Sequence, residues 1–378
     1  MILILSLPVM APVIWPEALA WLSDTPSRQN PLGLCVAATI PIAMALIAFR
    51  WWLPYASKER WAAMLLLSLL SCWCVDLHYS NVDLGHYFKD SYLENVEWQR
   101  HLQDRVLHLD PAVVPHYYRF LPNCVVAWLQ LLTGNFLSAA LIYRLTVQFA
   151  LLLGIYRLAR HWLDQHGALL AVSFYCLAYV MSLRYYAGQL TDPLSHLSFV
   201  LGYLFLIANR PWPFLVVVVL GVLAKESILV LPVFAALWFM RTPRDCLKWS
   251  MSLLAGMAVL VSVRLIAAGE PTYEKISGVS PDHVASNIVK VWQWGRQTWQ
   301  TIGALWFVAA LRWNSHPLLL RRMTLFLFPC LWISSLLFSH LEEARNYIPV
   351  SVLLAVMAAR VVAAPSTSST TETSESYD

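Results

Sequence analysis

The sequence predicts an all-α fold, a polytopic transmembrane helical bundle of about 11–12 spans. Hydrophobic residues make up 59% of the 378 residues and charged residues only 13%, whereas a soluble domain carries about 25% charge. The 18 Trp, 16 Tyr and 15 Phe suit a chain whose aromatic side chains sit at lipid headgroups. A net charge of +4 with scattered basic residues argues against nucleic-acid binding. The composition indicates a membrane protein, and nothing in it indicates a cofactor.

Runs of about 20 mostly apolar residues are long enough to span a bilayer. The candidate spans cover residues 1–22, 32–52, 61–78, 136–157, 167–183, 190–208, 248–267, 298–311, 323–340 and 346–363. The stretch 211–240 differs because Lys225 and Glu226 interrupt it, leaving the short halves 211–224 and 228–240. We expect these halves to form two short helices that meet near one membrane face.

The loops between the spans fall into two sets of different charge. Taken alternately, one set carries 13 Lys or Arg and 3 acids, and the other carries 14 acids and 11 bases. Because cytoplasmic loops are enriched in Lys and Arg, the first set is predicted to be cytoplasmic. The second set then faces the periplasm, the cell exterior or an organelle lumen, and we call its side the outer face.

The chain divides into three segments on this pattern. Residues 1–60 contain two N-terminal transmembrane helices, residues 61–363 form the main membrane module, and residues 364–378 form a disordered, Ser/Thr-rich cytoplasmic tail. The tripeptide Ala18-Leu19-Ala20 resembles a signal-peptidase site. No Lys or Arg precedes the first apolar run, however, which favours an uncleaved span.

The main module has two large outer loops, residues 76–120 and 268–297. In the first, residues 84–108 contain few Gly or Pro, which is typical of an amphipathic helix lying on the membrane surface. The apolar stretch 123–133 that follows is too short to span, and the second loop is expected to hold another surface helix. Histidines of the first loop lack the spacing of a metal site, so no metal is predicted.

Charged and polar residues cluster in sequence at the outer ends of the spans. They are Asp76, Asp83, Arg184, Gln189, Asp192, Lys225, Glu226, Glu342, Glu343 and Arg345. Such positions are costly beside a membrane and by default suggest a functional site. Because the topology puts them all on one side, we expect them to converge. Several carboxylates with Lys and Arg suit an acid/base reaction on a phosphorylated substrate.

Each of these residues also has a purely structural interpretation. Asp83 fits equally as one of the seven solvated acids of its loop. Lys225 and Glu226 could pair with each other, and residues 343 and 345 could form a surface ion pair. Asp192 precedes a proline at a helix start, where a carboxylate caps naturally, and capping is the favoured interpretation for it.

Six phrases of the sequence carry a family resemblance through their order. They are Arg119-Phe-Leu-Pro122 leading to Leu131-Leu-Thr-Gly134, Tyr143-Arg144, Ile155-Tyr156-Arg157-Leu158-Ala159-Arg160, Gly188-Gln-Leu-Thr-Asp192-Pro193-Leu194, Leu223-Ala224-Lys225-Glu226-Ser227 and Glu343-Ala-Arg345-Asn-Tyr347-Ile-Pro349. Over residues 61–363 this order resembles the GT-C superfamily of integral-membrane glycosyltransferases, in particular the protein-mannosyltransferase and lipid A aminoarabinose-transferase group. Two features depart from that pattern: the adjacent acidic pair of the first outer loop is absent, and two extra spans come first.

The resemblance implies an enzyme that takes a sugar from a polyprenyl-phosphate donor. The acceptor would be a hydroxyl of a glycan, lipid or protein, and the displacement would invert the anomeric carbon. The site would face the periplasmic side of a bacterial inner membrane, within the cell envelope. The implied base is Asp83, with Asp76 as the alternative.

The implied substrate-binding residues come from the same phrases. Lys225 and Arg345 would stabilise the leaving phosphate, with Arg184 or Arg119 in reserve. Glu343 would orient Arg345 or hold the sugar. The remaining substrate-binding candidates are Glu226, Asp192 and Tyr347, and an aromatic ring such as that of Tyr347 could stack on a sugar.

Two other classes fit a multi-span chain with a large outer loop. One is an O-antigen-type polysaccharide polymerase or ligase, which uses Arg and His of the outer loop. The other is a transporter or flippase for a lipid-linked sugar, which predicts paired halves and broken helices at matching positions. No such internal symmetry is evident, and Gly is scarce at 13 residues.

Overall fold

The computed structural model of the chain describes residues 58–80, 92–110, 118–183, 189–239, 242–268, 281–341 and 343–363. Within these ranges the regular structure is entirely helical. Five helices there are long and apolar enough to cross a membrane: Phe136–Ala159, Gln165–Leu183, Asp245–Ile266, Leu318–Phe338 and Ala344–Ala363. The predicted all-α class with transmembrane-type helices is thus confirmed for the described residues. The predicted spans 1–22 and 32–52, the tail 364–378, Asp83, Arg184 and Glu342 lie outside them.

We number the α-helices in chain order. They are α1 (Lys58–Ser80), α2 (Tyr92–Leu107), α3 (Phe120–Thr133), α4 (Phe136–Ala159), α5 (Gln165–Leu183), α6 (Thr191–Ile207), α7 (Pro211–Val222), α8 (Val230–Phe239), α9 (Pro243–Ala268), α10 (Pro281–Val289), α11 (Val291–Thr298), α12 (Ala304–Ala310), α13 (Leu318–Phe338) and α14 (Ile348–Ala363). Short 3₁₀ turns precede α8 (Glu226–Leu229), α13 (Trp313–Ser315) and α14 (Ala344–Tyr347), and a π-helical turn (Trp299–Gly303) joins α11 to α12.

Helix α14 is the central element of the bundle. Every residue from 348 to 359 is buried, because α5, α12 and α13 pack around it and α6 touches it on a further side. A helix that is apolar on all faces is expected at such a position. The hydroxyl of Tyr203 on α6 donates to the Pro349 carbonyl over 2.9 Å, which fixes the start of α14 beside α6.

The short apolar stretch after the first loop forms α3, as predicted. It ends at Gly134, whose φ of 77° lies in the left-handed region that glycine adopts without steric cost. Asn135 then caps α4 by accepting a hydrogen bond from the Ser138 backbone N–H over 2.8 Å. The reversal places the first turns of α4 against α3, with Phe136 and Val126 in a shared apolar cluster.

The predicted pair of short helices is also present. Helix α7 ends at Val222, residues 223–225 turn, and the 3₁₀ turn at 226–229 leads into α8. The surface helix predicted for residues 84–108 is α2 within its described part, and it packs against α1 and α3. The second outer loop contributes α10 and α11. One end of the bundle therefore collects the starts of α3, α6, α8 and α14.

Candidate functional site

Six ionisable side chains from four separate stretches of the chain meet at this end of the bundle. They are Arg119, Asp192, Lys225, Glu226, Glu343 and Arg345. Ion pairs join Arg119 to Glu226 and join the other four around Asp192, and Gln189 links the two groups into one network because it bonds both Arg119 and Asp192. Arg119 directly precedes α3 and Asp192 lies in the first turn of α6. The other four lie in the turns before α8 and α14. The expected convergence is therefore observed for Asp192, Lys225, Glu226, Glu343 and Arg345, and Arg119, a candidate only through the resemblance, joins them.

The carboxylate of Asp192 is the centre of this network. Its Oδ2 accepts hydrogen bonds from Arg345 Nη1 at 3.1 Å and from the Gln189 backbone N–H at 2.9 Å. Its Oδ1 lies 3.7 Å from Lys225 Nζ. Only 1% of Asp192 is exposed, so the two cations compensate a charge that burial alone would strongly disfavour. The favoured capping interpretation is thus incomplete: Asp192 orders the turn before α6, and it also joins α6 to two other stretches.

Arg345 is held on its other side by Glu343. Glu343 Oε2 accepts from Arg345 Nη2 at 2.9 Å and from Nε at 3.2 Å. Both residues are buried, with 9% and 2% of their surfaces exposed, so the interpretation as a surface pair is wrong. Burial raises the pKa of the Glu343 carboxyl, but Arg345 and Lys225 outweigh that effect and keep the pKa below its ordinary value.

Lys225 and Glu226 do not satisfy each other, contrary to their interpretation as a mutual ion pair. Lys225 Nζ donates to Asn346 Oδ1 over 2.7 Å and faces Asp192, whereas Glu226 accepts from Arg119 Nη2 over 3.2 Å. The backbone at Lys225 is extended, with φ −164° and ψ 128°, and neighbouring side chains of an extended chain point in opposite directions. Burial lowers the pKa of Lys225 to about 8, although the Asp192 carboxylate opposes this shift.

A small, partly open cavity adjoins the network. It is lined by Arg119, Lys225, Glu226, Ser227, Leu331, Ser334, Ser335, Phe338, Ser339 and Asn346. Two cations and one carboxylate give this lining a net formal charge of +1. Of the other two carboxylates of the network, Glu343 pairs with Arg345, and Asp192 pairs with both Arg345 and Lys225. The lining therefore suits an anionic group that can also accept hydrogen bonds from hydroxyls and an amide.

Sequence reasoning missed the serines and Asn346 in this lining. Residues 331, 334, 335 and 338 recur at the spacing of one helical face, and that face of α13 forms a wall of the cavity. Asn346 connects two walls, since it accepts from Lys225 and donates to Ser339 Oγ over 3.3 Å. The serines near the end of this otherwise apolar helix were the sequence feature that could have predicted the polar wall.

Arg119 fastens the start of α3 to the network. Its Nη1 donates to Gln189 Oε1 over 3.4 Å, and its backbone carbonyl accepts from Asn123 Nδ2 over 2.8 Å. The backbone N–H of Leu121 donates to the Leu223 carbonyl over 3.1 Å. The predicted reserve cation is thus part of the cavity wall, and α3 is joined directly to the end of α7.

Four of the remaining sequence candidates fall elsewhere or are not described. Tyr347 is fully buried, donates to the Leu341 carbonyl over 3.3 Å and packs against Phe328, so its ring face is already covered. Helix α1 continues to Ser80, so Asp76 lies within a helix and not after it. Asp83 and Arg184 lie outside the described residues. The assignment of the base between Asp76 and Asp83 stays a prediction.

The described part of the chain contains no group of three or more His, Cys, Asp or Glu side chains placed to hold a metal ion. No protein-family model, curated protein or solved structure matches the chain. Over the residues that the structure describes, the fold and the site define a class of protein: an all-helical bundle with transmembrane-type helices and a buried ion-pair network at one end. Any more particular function has to be proposed from that geometry.

Proposed function

We propose that the chain is a membrane glycosyltransferase that moves a sugar from a polyprenyl-phosphate donor to an acceptor hydroxyl at the outer face. The observation that supports this proposal most is the cavity lined by Arg119 and Lys225, which lies against a buried network of carboxylates and guanidinium groups. A bundle of about 11–12 spans, including the two short helices α7 and α8, would carry this cavity at the level of the outer headgroups.

The charges at the opposite end of the bundle support this orientation. The ends of α4, α12 and α14 and the starts of α7 and α13 carry cations, namely Arg157, Arg160, Arg210, Arg312, Arg321, Arg322 and Arg360. Since Lys and Arg accumulate on the cytoplasmic side, the site end faces outward. That placement agrees with a donor whose lipid lies in the outer leaflet and whose headgroup reaches the cavity from the side.

A phosphate leaving group explains the balance of charge in the site. As the bond between sugar and phosphate breaks, negative charge grows on the phosphate oxygens, and preorganised cations stabilise that charge best. Arg119 and Lys225 line the cavity where such a group would lie, and Ser and Asn side chains add donors. Asp192 and Glu343 would hold Arg345 and Lys225 in place and would not themselves contact the phosphate.

The reaction would be a single inverting displacement. The oxygen of the acceptor hydroxyl forms a bond to the anomeric carbon while the bond from that carbon to the phosphate oxygen breaks. The electron pair of the broken bond stays on the phosphate. The hydroxyl proton goes to a carboxylate, which by resemblance is Asp83, with Asp76 as the alternative.

The test is transfer of radiolabelled sugar in membranes that contain equal amounts of wild-type chain, Asp76→Asn or Asp83→Asn. The donor is identified beforehand by mass spectrometry of envelope glycans from a strain lacking the chain, since the missing residue names the transferred sugar. At least one of the two variants should lose transfer. Full activity in both would contradict the proposed mechanism, and movement of labelled lipid without a new glycosidic bond would instead indicate a transporter.

A further inference from the structure

A second cavity lies on the other side of Arg119, and most of its lining comes from residues that were not candidates for the charged site. Like the cavity lined by Arg119 and Lys225, it is small and partly open. Its lining consists of Trp98, Gln99, Leu102 and Val106 of α2, Asn123 of α3, and Gln189, Leu190 and Thr191 at the start of α6. None of these lining residues is charged, which separates this cavity chemically from the one lined by Arg119 and Lys225.

The two cavities share a thin wall. Gln189 lines the uncharged cavity and accepts from the guanidinium of Arg119, which lines the charged one. Asn123 also lines the uncharged cavity and donates to the Arg119 carbonyl. Arg119 and its two partners Gln189 and Asn123 thus stand between the two cavities.

Helix α2 has amides where an amphipathic helix ordinarily has apolar residues: Gln99 lines the uncharged cavity, and Gln103 lies outside the lining but bonds to the lining residue Asn123. Gln99 and Gln103 lie on the inner face of α2, with 2% and 3% of their surfaces exposed. Burial of an amide is unfavourable unless it is hydrogen-bonded, and here Gln99 Oε1 accepts from Arg144 Nη2 over 2.9 Å while Gln103 Nε2 donates to the Asn123 carbonyl over 3.2 Å. A wall of oriented amides suits a ligand with many neutral hydroxyls and not a lipid chain.

Trp98 completes this cavity at its rim. Its ring lines the cavity while 39% of the residue remains exposed. An indole offers an apolar face with one polar edge, and the C–H face of a sugar ring is the apolar surface that matches it. Behind Gln99 lies the buried cation of Arg144, so a positively charged ligand would be disfavoured here.

We propose that this cavity binds an uncharged sugar ring, with Trp98 against its C–H face and the amides of Gln99, Asn123 and Gln189 toward its hydroxyls. The inference rests on the proposed function, because the neighbouring charged cavity is taken to hold the phosphate of the same reaction. The ring belongs either to the donor or to the acceptor. In both cases the cavity selects against an amino sugar, since no described lining residue offers a carboxylate.

The test measures lipid binding to the full chain in phospholipid nanodiscs, prepared without glycoside detergents. The first probe is a short-chain polyprenyl phosphate bearing a glucosyl or mannosyl group, and the second is the same polyprenyl phosphate bearing an aminoarabinosyl group. The third is the methyl ester of that polyprenyl phosphate, which has the phosphodiester charge but no sugar. The wild-type chain should bind the glucosyl or mannosyl lipid roughly tenfold more tightly than the methyl ester. The aminoarabinosyl lipid should show no such gain.

Variants at position 98 assign that gain to the cavity. Trp98→Ala should remove the gain and leave the affinity for the methyl ester within about twofold, while Trp98→Phe keeps most of it. The matched control is Trp128→Ala, an exposed tryptophan of α3 outside both cavities, which should change nothing. If Trp98→Ala still binds the glucosyl or mannosyl lipid more tightly than the methyl ester, the cavity does not hold the donor sugar. The acceptor sugar is then tested by comparing how tightly wild-type chain and Trp98→Ala bind methyl glucoside and methyl mannoside in the presence of the methyl ester.

The outcomes separate this inference from the proposed function. The inference is overturned if Trp98→Ala changes neither the binding of the sugar-bearing lipid nor the binding of the methyl glycosides. It is also overturned if the aminoarabinosyl lipid binds as tightly as the glucosyl or mannosyl lipid. Methyl ester affinity that is the same in wild-type chain and Lys225→Met contradicts the phosphate site and hence the proposed function. If Lys225→Met weakens binding of the methyl ester but Trp98→Ala weakens no sugar binding, only the inference about the sugar cavity is contradicted.

Discussion

The two ends of the bundle use their cations in different ways. At the outer end Arg345 is 2% exposed and lies between the carboxylates of Asp192 and Glu343. At the opposite end Arg360 donates to the Trp162 carbonyl over 3.0 Å, and Arg160 donates to the Leu163 carbonyl over 3.2 Å. Cations at the ends of helices stabilise free carbonyls at small cost, whereas buried ion pairs carry a desolvation penalty that often cancels their attraction. The outer network is therefore better explained by a function than by stability.

The largest expected effect is a loss of stability, and it appears in a comparison of two aspartates that each accept a hydrogen bond from a backbone N–H at a helix start. Asp192 accepts from Gln189 and faces two buried cations, while the exposed Asp164 only caps α5 by accepting from Gly167 over 2.8 Å. Asp192→Ala should destabilise the fold by about 3–5 kcal/mol, because it leaves buried cations without compensation. Asp164→Ala should cost about 1 kcal/mol, the loss of one cap. Unfolding in mixed micelles by SDS titration measures both.

Asp192→Asn refines that comparison because it keeps the side-chain volume and removes only the charge. A cost close to that of Asp192→Ala would attribute the effect to electrostatics, as expected. Equal costs for the alanine variants at 164 and 192 would show instead that the outer network contributes no more than an ordinary helix cap.

The second comparison uses one lysine from each end. Lys225→Met removes a buried cation of the charged cavity and should lower the transfer rate by about 10²–10³, the usual cost of losing one stabilising donor. Lys248→Met, at an exposed i,i+3 pair with Asp245 near the start of α9, should leave the rate unchanged because exposed pairs contribute little. Transfer assays at matched membrane abundance measure the difference. Comparable losses in the two variants would assign no special role to the outer end.

The third comparison concerns pH, since burial lowers the pKa of Lys225 to about 8. Lys225 is protonated below that pH and neutral above it, so affinity for a polyprenyl phosphodiester should fall about tenfold between pH 7 and pH 9. The ligand keeps one charge throughout, and the facing carboxylates of Asp192 and Glu343 stay ionised because nearby cations lower their pKa values. Lys225→Arg should flatten the profile. An unchanged profile in that variant would assign the titration to another group.

Much of the fold, and part of the site, could be predicted from the sequence. The apolar runs located most of the described apolar helices, but the run 298–311, predicted as a span, forms a π-helical turn and the short α12. The alternation of loop charge placed the six network charges on one side, and the structure has them at one end. The pairing could not be predicted, because it depends on the extended backbone at Lys225, which separates two neighbouring side chains. The uncharged cavity could not be predicted either. Gln99 and Gln103 look like solvated residues of a polar helix until α2 is packed against Arg144 and Asn123.

The smallest expected effect concerns how helices end. Gly134, after α3, has a φ of 77°. No neighbouring atom lies within 4 Å of the position that an alanine Cβ would take there. Gly134→Ala should therefore lower the free energy of unfolding by about 1 kcal/mol, the cost of the left-handed backbone conformation alone. Gly295→Ala is the matched control, because it has the same open space but lies inside α11 with helical geometry; it should stabilise the chain by up to about 1 kcal/mol. At the opposite end Asn209 adopts the same left-handed conformation with φ 51°, so Asn209→Gly should not destabilise. SDS-titration midpoints that fall for Gly134→Ala and rise for Gly295→Ala would confirm that backbone conformation alone separates the two glycines, whereas a fall in both would indicate that the outer end tolerates no added methyl group.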